Sequence, residues 1–304
     1  MDEAVDDIPA AVEAARNADV AVVAVGERSG WIGDATGGEG RSRADLRLLG
    51  RQTELLNAVA DTGTAMVVVL FSGRPLVLGA ASERAAAVIV AWHPGPFGGV
   101  ALGEALWGVG EPGGRLPITF PRGVGQVPMY SGHSSGSGYR CAEGPALHPY
   151  IDSDSTPRYP FGHGLSFASF EWSEFEASTA SAECGATVSV SLRVTNTSRR
   201  DGAEVVQLYG FDHCAGVTRP VRQLLGFSRV EVPAGGAVRV TFDVDTSLFA
   251  WWDSPRRWVV EPGPVELMLA RSADDVVWRH RLALTGPELS LDRRRAFYSV
   301  GRAS

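Results

Sequence analysis

The sequence predicts two folded parts of different class, an α/β domain followed by an all-β antiparallel sandwich. In the first part, unbroken apolar runs alternate with apolar-periodic segments, which is typical of parallel strands covered by helices. In the second part, short runs alternate apolar and polar residues between turn signals, which is typical of a sandwich. The chain has 304 residues, enough for about two domains. We place the α/β domain at residues 1–160, the sandwich at 161–288 and a polar, Arg-rich tail at 289–304.

The first part contains three runs rich in Ala and Val that lack polar alternation, and these predict strands buried on both faces. The predicted order is helix 7–17, strand 18–25, helix 42–61, strand 65–71, strand 85–92 and helix 100–107. Three parallel strands make a small sheet, and no strand precedes the first helix. We therefore expect an incomplete α/β domain with a mostly parallel sheet.

The second part begins after a long segment without periodicity. Residues 123–159 are rich in Gly, Ser, Pro and His, which indicates either an ordered binding loop or a flexible linker. Beyond this segment, the alternating runs that predict strands are 186–195, 204–209, 221–232, 237–244, 265–271 and 276–284. About seven short strands separated by Gly and Pro turns favour a sandwich.

Composition excludes several classes of function. The net charge is −7 with both signs interspersed, so we expect no nucleic-acid partner. All 28 basic residues are Arg, which removes lysine chemistry such as Schiff bases and the P-loop lysine. The three cysteines, Cys141, Cys184 and Cys214, are odd in number and lack ligand spacing, so we expect neither a disulfide framework nor a metal. We expect no cofactor.

The N-terminus, MDEAVDDIPA, is acidic and lacks the apolar region of a secretory signal. No apolar stretch approaches the roughly 18 residues that span a bilayer, so we expect no membrane contact. These features predict a cytoplasmic protein, and secretion would require an N-terminal portion beyond this sequence.

The candidate site is the glycine-rich loop at residues 26–40, which we call the glycine loop. It connects the first predicted strand to a helix, and Glu39 stands there between Gly38 and Gly40. Glu39 is either an exposed turn acid or a group presented to a ligand. Its position favours the second, because ligands of open α/β sheets bind beyond the carboxyl ends of strands. An acid without a nearby Lys would repel phosphate, so Glu39 suits proton transfer to a neutral substrate.

Two other residues of the glycine loop are candidate substrate contacts. Trp31 either stacks on a sugar ring or packs against the protein, and Asp34 is either a second carboxylate or a solvated turn residue. The histidines, His93, His133, His148 and His163, are scattered and are interpreted as structural. The single G-x-S-x-G match, GHSSG at residues 132–136, lies in the segment without periodicity and not between a predicted strand and helix, which argues against a serine hydrolase.

Several long runs resemble one family. They include GGEGRSRADLRLLGRQTELL at residues 37–56, VVVLFSGRPLVL at 67–78, GEPGGRLPITFP at 110–121 and YPFGHGLSF at 159–167. On these runs, which continue into the sandwich, the chain resembles the C-terminal half of glycoside hydrolase family 3, the β-glucosidase and β-xylosidase family. The resemblance implies part of an α/β sandwich domain followed by a fibronectin-III-like domain.

The resemblance also implies a mechanism and a substrate. Family members are similar in using a retaining mechanism, in which an Asp on a barrel domain is the nucleophile and a Glu is the general acid/base. That Glu corresponds to Glu39 here. The implied substrate is a β-linked oligosaccharide or glycoside, and the implied partner is a barrel-domain polypeptide that supplies the nucleophile.

The sequence departs from the family pattern in three ways. The barrel domain is absent, the opening strand of the α/β domain is absent, and Ser42 stands where the family usually has Asp. Two hypotheses follow. The chain is either the acid/base half of a β-glycosidase, weakly active or inactive by itself, or a non-catalytic carbohydrate-binding or interaction module derived from the same family.

Overall fold

The computed structural model describes residues 7–31, 33–135, 137–140 and 150–304. Cys141 and His148 lie outside these described residues. The chain divides into two compact units. The first comprises Met1–Gly110, Phe120–Met129 and Tyr150–Arg158, and the second comprises Glu111–Thr119, Tyr130–Pro149 and Tyr159–Ser304. The domain boundary at residue 160 stays a prediction.

The first unit is built on a three-stranded parallel sheet, as predicted. Its strands lie in the order β1 (Val20–Gly26), β2 (Ala65–Phe71) and β3 (Ala87–Val90). Its helices are α1 (Ile8–Arg16), α2 (Gln52–Ala60), α3 (Ala81–Arg84) and α4 (Gly98–Leu106). Helix α1 begins where the sequence predicts. Asp7 caps it, because its carboxylate accepts the backbone N–H of Ala10 at 2.9 Å.

Helix α2 begins at Gln52, so the predicted helix at residues 42–51 is wrong. That segment is irregular, because its polar groups form contacts that a helix would not allow. The Asp45 carboxylate accepts the backbone N–H of Arg47 at 2.9 Å and forms an ion pair with its guanidinium. The backbone of Arg47 also forms an isolated parallel β-bridge with Val77. Hydrogen bonding to the Arg47 guanidinium lowers the pKa of Asp45 to about 2. A short acidic side chain here offers the backbone an alternative to the helix.

The prediction that strand β1 is buried on both faces is wrong. Val23 and Val25 are buried, whereas Val20 and Val22 are 50% and 48% exposed. The central strand β2 is different, because the successive residues Val68 and Val69, which face opposite sides of the sheet, are both buried. An apolar run shows that a strand can be covered on both faces, but it does not show that a covering element is present.

The second unit contains the other strands of the described chain and confirms the fibronectin-III-like sandwich. A curled sheet of nine strands has the order β4-β6-β9-β15-β8-β7-β12-β13-β5, and a small sheet has the order β10-β11-β14. The strands are β4 (Phe170–Ala177), β5 (Ser181–Glu183), β6 (Thr187–Asn196), β7 (Gly202–Asp212), β8 (Gln223–Val232), β9 (Ala237–Asp245), β10 (Trp251–Trp252), β11 (Trp258–Val260), β12 (Gly263–Ala270), β13 (Val276–Thr285), β14 (Leu289–Leu291) and β15 (Ser299–Ala303).

The core of the second unit follows the period-two pattern of its strands. On β6, Val188, Val190 and Leu192 are fully buried, and on the paired strand β9 so are Val240 and Phe242. Alternate residues of the two strands therefore face one core, as the sequence predicts.

The residues predicted as a polar tail, 289–304, contain the strands β14 and β15. Strand β15 pairs in parallel with β8 and antiparallel with β9, so it joins the two halves of the curled sheet. Its sequence, SVGRA, is short and carries one large apolar residue, so it gives no strand pattern. The sheet recruits it through backbone hydrogen bonds, which any sequence without Pro can make.

The long segment at residues 123–159 is hydrogen-bonded in its described parts. It begins with a 3₁₀ turn, Val124–Gln126, in which the buried Gln126 amide accepts the backbone N–H of Arg122 at 2.6 Å and donates to the Asp154 carbonyl at 2.8 Å. These contacts favour the ordered-loop alternative for the parts concerned. Among the described helices, none is long and apolar enough to cross a membrane.

Candidate active site

The glycine loop starts at a fixed point at the carboxyl end of β1. Gly26 has φ 140°, and a Cβ there would lie 1.8 Å from the Phe71 carbonyl oxygen on β2. The Gln52 amide, at the start of α2, accepts the N–H of Gly26 at 2.6 Å and donates to its carbonyl at 2.9 Å. Strand, loop and helix are thus joined at one residue, which defines the direction in which the chain leaves the sheet.

The next residue, Glu27, places a carboxylate beneath the loop. Its side chain is completely buried, and its Oε2 lies 3.1 Å from Arg74 Nε and 2.9 Å from the Ser72 hydroxyl. Arg43 lies farther away, with Nη1 3.8 Å from Oε1. A buried carboxylate is stable only when it is paired, so this group belongs to the framework of the loop.

The loop then folds back on itself through backbone contacts. The Arg28 carbonyl accepts the N–H groups of Thr36 and Gly37 at 2.9 and 3.1 Å, and the N–H of Gly30 donates to the Gly37 carbonyl at 3.1 Å. Gly38 has φ 124°, and a Cβ on it would lie 2.6 Å from the Gly30 carbonyl oxygen. Position 38 therefore requires glycine, for its backbone conformation and for space.

Glu39 lies in the turn that follows, which closes through a 3.1 Å hydrogen bond from the Arg41 N–H to the Gly38 carbonyl. Glu39 is exposed to solvent. Within the part of the chain that the structure describes, the Glu39 carboxylate has no hydrogen-bond or ion-pair partner. A carboxylate that is exposed and uncommitted on an ordered loop is available for proton transfer to a bound molecule.

Trp31 and Asp34 lie on the same loop in different environments. Trp31 is 75% exposed, so its ring does not pack against the described part of the protein. The Trp31 carbonyl accepts two hydrogen bonds from the Arg41 guanidinium, at 3.1 and 2.9 Å. Asp34 forms an ion pair with Arg28, and its side chain is 70% exposed. Asp34 is therefore neither isolated nor buried, and Arg28 compensates its charge.

The described histidines do not join this loop in a cluster. His133 is buried, and its Nδ1 lies 3.0 Å from the Ser134 carbonyl oxygen. The ring of His163 stacks on Tyr159. Burial lowers the pKa of both imidazoles, which keeps them neutral and suits a structural role. No three His, Cys, Asp or Glu side chains within the described ranges are placed to hold a metal ion.

Sequence reasoning proposed Glu39, Trp31 and Asp34 as site residues and did not consider Glu27 and Arg74. One signal was available for Glu27, since an acid directly after a buried apolar run must be paired or exposed. No local signal identifies Arg74 as its partner, because the two residues belong to different strand ends. Only the parallel pairing of β1 with β2 brings them together.

Comparisons with known proteins agree with this architecture. The sequence profile described as "Glycosyl hydrolase family 3 C-terminal domain" matches residues 2–167, and that described as "Fibronectin type III-like domain" matches residues 204–273. The chain is 37% identical over 265 residues to a periplasmic beta-glucosidase of Salmonella typhimurium, covering 86% of this chain and 34% of that protein.

A beta-xylosidase of Formosa agariphila is 35% identical over 277 residues, covering 88% of this chain and 36% of the relative. The crystal structure of a beta-glucosidase from Listeria innocua in complex with glucose is 31% identical with a TM-score of 0.84, covering 94% of this chain and 39% of that one. The chain thus spans about a third of the length of the curated relatives it matches.

Proposed function

Because the chain belongs to glycoside hydrolase family 3, we propose that it supplies the general acid/base half of a retaining β-glycosidase acting on terminal non-reducing β-D-glycosides. The observation that supports this most directly is the Glu39 carboxylate, which is exposed on an ordered loop and uncommitted among the described residues. The nucleophile comes from a barrel domain outside this sequence.

In this mechanism Glu39 acts twice. It first donates a proton to the glycosidic oxygen while the barrel Asp attacks the anomeric carbon, which forms a covalent glycosyl–enzyme. It then removes a proton from water as that water displaces the enzyme carboxylate. The two carboxyl groups must stand about 5–5.5 Å apart. Asp34 has its charge compensated by Arg28 on the same loop, so we assign the nucleophile to the barrel Asp instead.

Trp31 and Asp34 are proposed as substrate contacts of the same loop. An aromatic ring that is 75% exposed offers an apolar face to the C–H groups of a sugar ring. The Asp34 oxygen that does not face Arg28 can accept a hydrogen bond from a sugar hydroxyl. A β-glucoside is the proposed substrate and a β-xyloside the second choice, following the relatives named beta-glucosidase and beta-xylosidase.

The alternative function is a non-catalytic carbohydrate-binding or interaction module. One observation favours it, Ser42 at a position where the family usually has Asp. The two functions differ in whether a barrel domain restores turnover. The cytoplasmic location and the barrel partner stay predictions.

The test combines the chain with a barrel domain from a family β-glucosidase and measures hydrolysis of aryl β-glucosides. Glu39→Ala is expected to lower kcat/KM by about 10²–10⁴-fold on a substrate with a poor leaving group. Azide is expected to restore turnover of an activated substrate as a β-glucosyl azide, because an anionic nucleophile needs no general base.

Glu13→Ala, which removes an exposed carboxylate on α1, is the control and should leave the rate unchanged. Restored activity that Glu39→Ala does not reduce would refute the acid/base assignment. If no barrel domain restores turnover while the chain still binds oligosaccharide in a calorimeter, the binding-module function is correct.

A further inference from the structure

We infer that Arg74 is a positioning residue, which holds the glycine loop in the conformation that presents Glu39, and that the buried Glu27 carboxylate anchors it. The inference rests on the proposed acid/base role of Glu39 and deepens it. Arg74 lies in the segment that follows β2, whereas the glycine loop follows β1, so Arg74 contacts the loop from the end of the neighbouring strand.

Arg74 contacts the backbone on both sides of Glu39, in the glycine loop and directly after it. Its Nη2 lies 3.3 Å from the Thr36 carbonyl oxygen, before Glu39 in the chain, and 3.3 Å from the Arg41 carbonyl oxygen, after it. A single guanidinium therefore donates to both arms that lead to Glu39. Because its donors are held in one plane, a guanidinium fixes the separation of two acceptors more firmly than an ammonium does.

The guanidinium is itself held by Glu27. Its Nε lies 3.1 Å from Glu27 Oε2, the Glu27 side chain is completely buried, and that of Arg74 is 19% exposed. An exposed ion pair stabilises little, because solvent screens the charges and holding the side chains in place costs conformational entropy. The Glu27–Arg74 pair is largely buried, so its side chains have few other conformations. The Ser72 hydroxyl, 2.9 Å from the same carboxylate oxygen, adds a further constraint.

The loop packs directly on this pair at Gly37. A Cβ at that position would lie 3.4 Å from Glu27 Oε2 and 3.7 Å from Arg74 Nη2. The backbone next to the acid/base turn thus rests on the ion pair, and a shift of Arg74 moves Gly37 and its neighbours. Thr36 and Gly37 also donate to the Arg28 carbonyl, so the displacement would extend through the loop.

The decisive variant is Arg74→Lys, which keeps a positive charge for Glu27 and loses the planar fork. In the enzyme reconstituted with a barrel domain, kcat/KM, which reports the glycosylation step, is measured with two aryl β-glucosides, one with a good leaving group and one with a poor one. Arg74→Lys is expected to lower kcat/KM about tenfold on the poor leaving group, whose departure needs the proton, and about twofold or less on the good one.

Two further variants separate positioning from structure. Arg43→Lys is the matched control, because Arg43 also faces Glu27 but donates to the Arg47 carbonyl instead of the glycine loop. Arg43→Lys is expected to change kcat/KM on either substrate by less than twofold. In the Glu39→Ala background, Arg74→Lys is expected to cause no additional loss, because a positioning residue has nothing left to position.

Amide hydrogen exchange on the present chain tests the inference without a barrel. Arg74→Lys is expected to speed exchange of the amides at residues 36–41 about tenfold, while the β2 amides keep their protection. If Glu39→Ala abolishes activity and Arg74→Lys lowers kcat/KM equally for the two substrates, Arg74 is merely structural and the inference is wrong. If Glu39→Ala has no effect, the proposed function itself fails.

Discussion

Individual residues of the glycine loop are constrained by backbone geometry more than by side-chain packing. Gly38 combines a φ of 124° with a carbonyl oxygen 2.6 Å from where its Cβ would be. Gly40 has φ 66°, but nothing lies within 4 Å of its Cβ position. The two glycines that flank Glu39 therefore differ in what they tolerate, and this difference can be measured.

Gly38→Ala is expected to lower the Glu39-dependent rate by at least about tenfold, because Ala must change the backbone angle and move away from Gly30. Gly40→Ala, which imposes strain without a clash, should cost less. The measurement is kcat/KM of the reconstituted enzyme, with thermal unfolding to confirm that both variants fold. Equal losses in the two variants would show that the Gly30 contact is unimportant.

The sequence was informative at this scale where a residue's chemistry is local. Glu39 could be proposed as the acid/base because glycines on a strand-to-helix loop and a family motif both point to it. Glu27 and Arg74 could not be paired, because their contact depends on two strands lying side by side. The state of Trp31 was also open until its exposure was known.

At the scale of elements, regular strands were predictable and irregular ones were not. Strands β2, β6 and β9 follow unbroken or alternating apolar patterns and were predicted. Strand β4 was missed, because a register shift between Ser173 and Glu176 breaks its period of two. Strand β15 was missed because its residues are mostly small or polar and its place is set by β8 and β9.

The contact between β15 and β8 leads to a stability prediction. A Cβ on Gly226 would lie 2.2 Å from the Ser299 carbonyl oxygen, so Gly226→Ala must separate the two strands. We expect a loss of about 1–3 kcal/mol in the free energy of unfolding, measured with urea. Gly114→Ala, with nothing within 4 Å of its Cβ position in the same unit, is the control. A Gly226→Ala variant as stable as this control would contradict the role of β15.

At the scale of the whole molecule, the first unit exposes several large apolar side chains. Its large exposed apolar residues include Val20, Val22, Phe97, Val100 and Trp107. Among the described strands, β1 pairs with β2 alone, so its other edge presents unpaired backbone groups. A chain about a third as long as its relatives, with these surfaces open, is expected to gain contacts from the rest of the family architecture.

We predict that a longer chain, extended with the family segment that precedes this region, will protect β1. The amides of Val20–Gly26 that face the free edge should exchange at least about tenfold more slowly than in the present chain. Amides of Ala65–Phe71 on β2, which already lies between two strands, serve as the internal control. Unchanged exchange in β1 would show that the sheet gains no strand at this edge.

The sequence by itself determined the order of fold classes, the family and the residue proposed to transfer the proton, because apolar periodicity and motif chemistry are local properties. The tertiary structure decided what supports that residue and which surfaces are covered. The Glu27–Arg74 pair, the glycine contacts and the place of β15 all join segments distant in the chain. Such contacts depend on strand pairing and loop closure, which residue patterns within one segment do not specify.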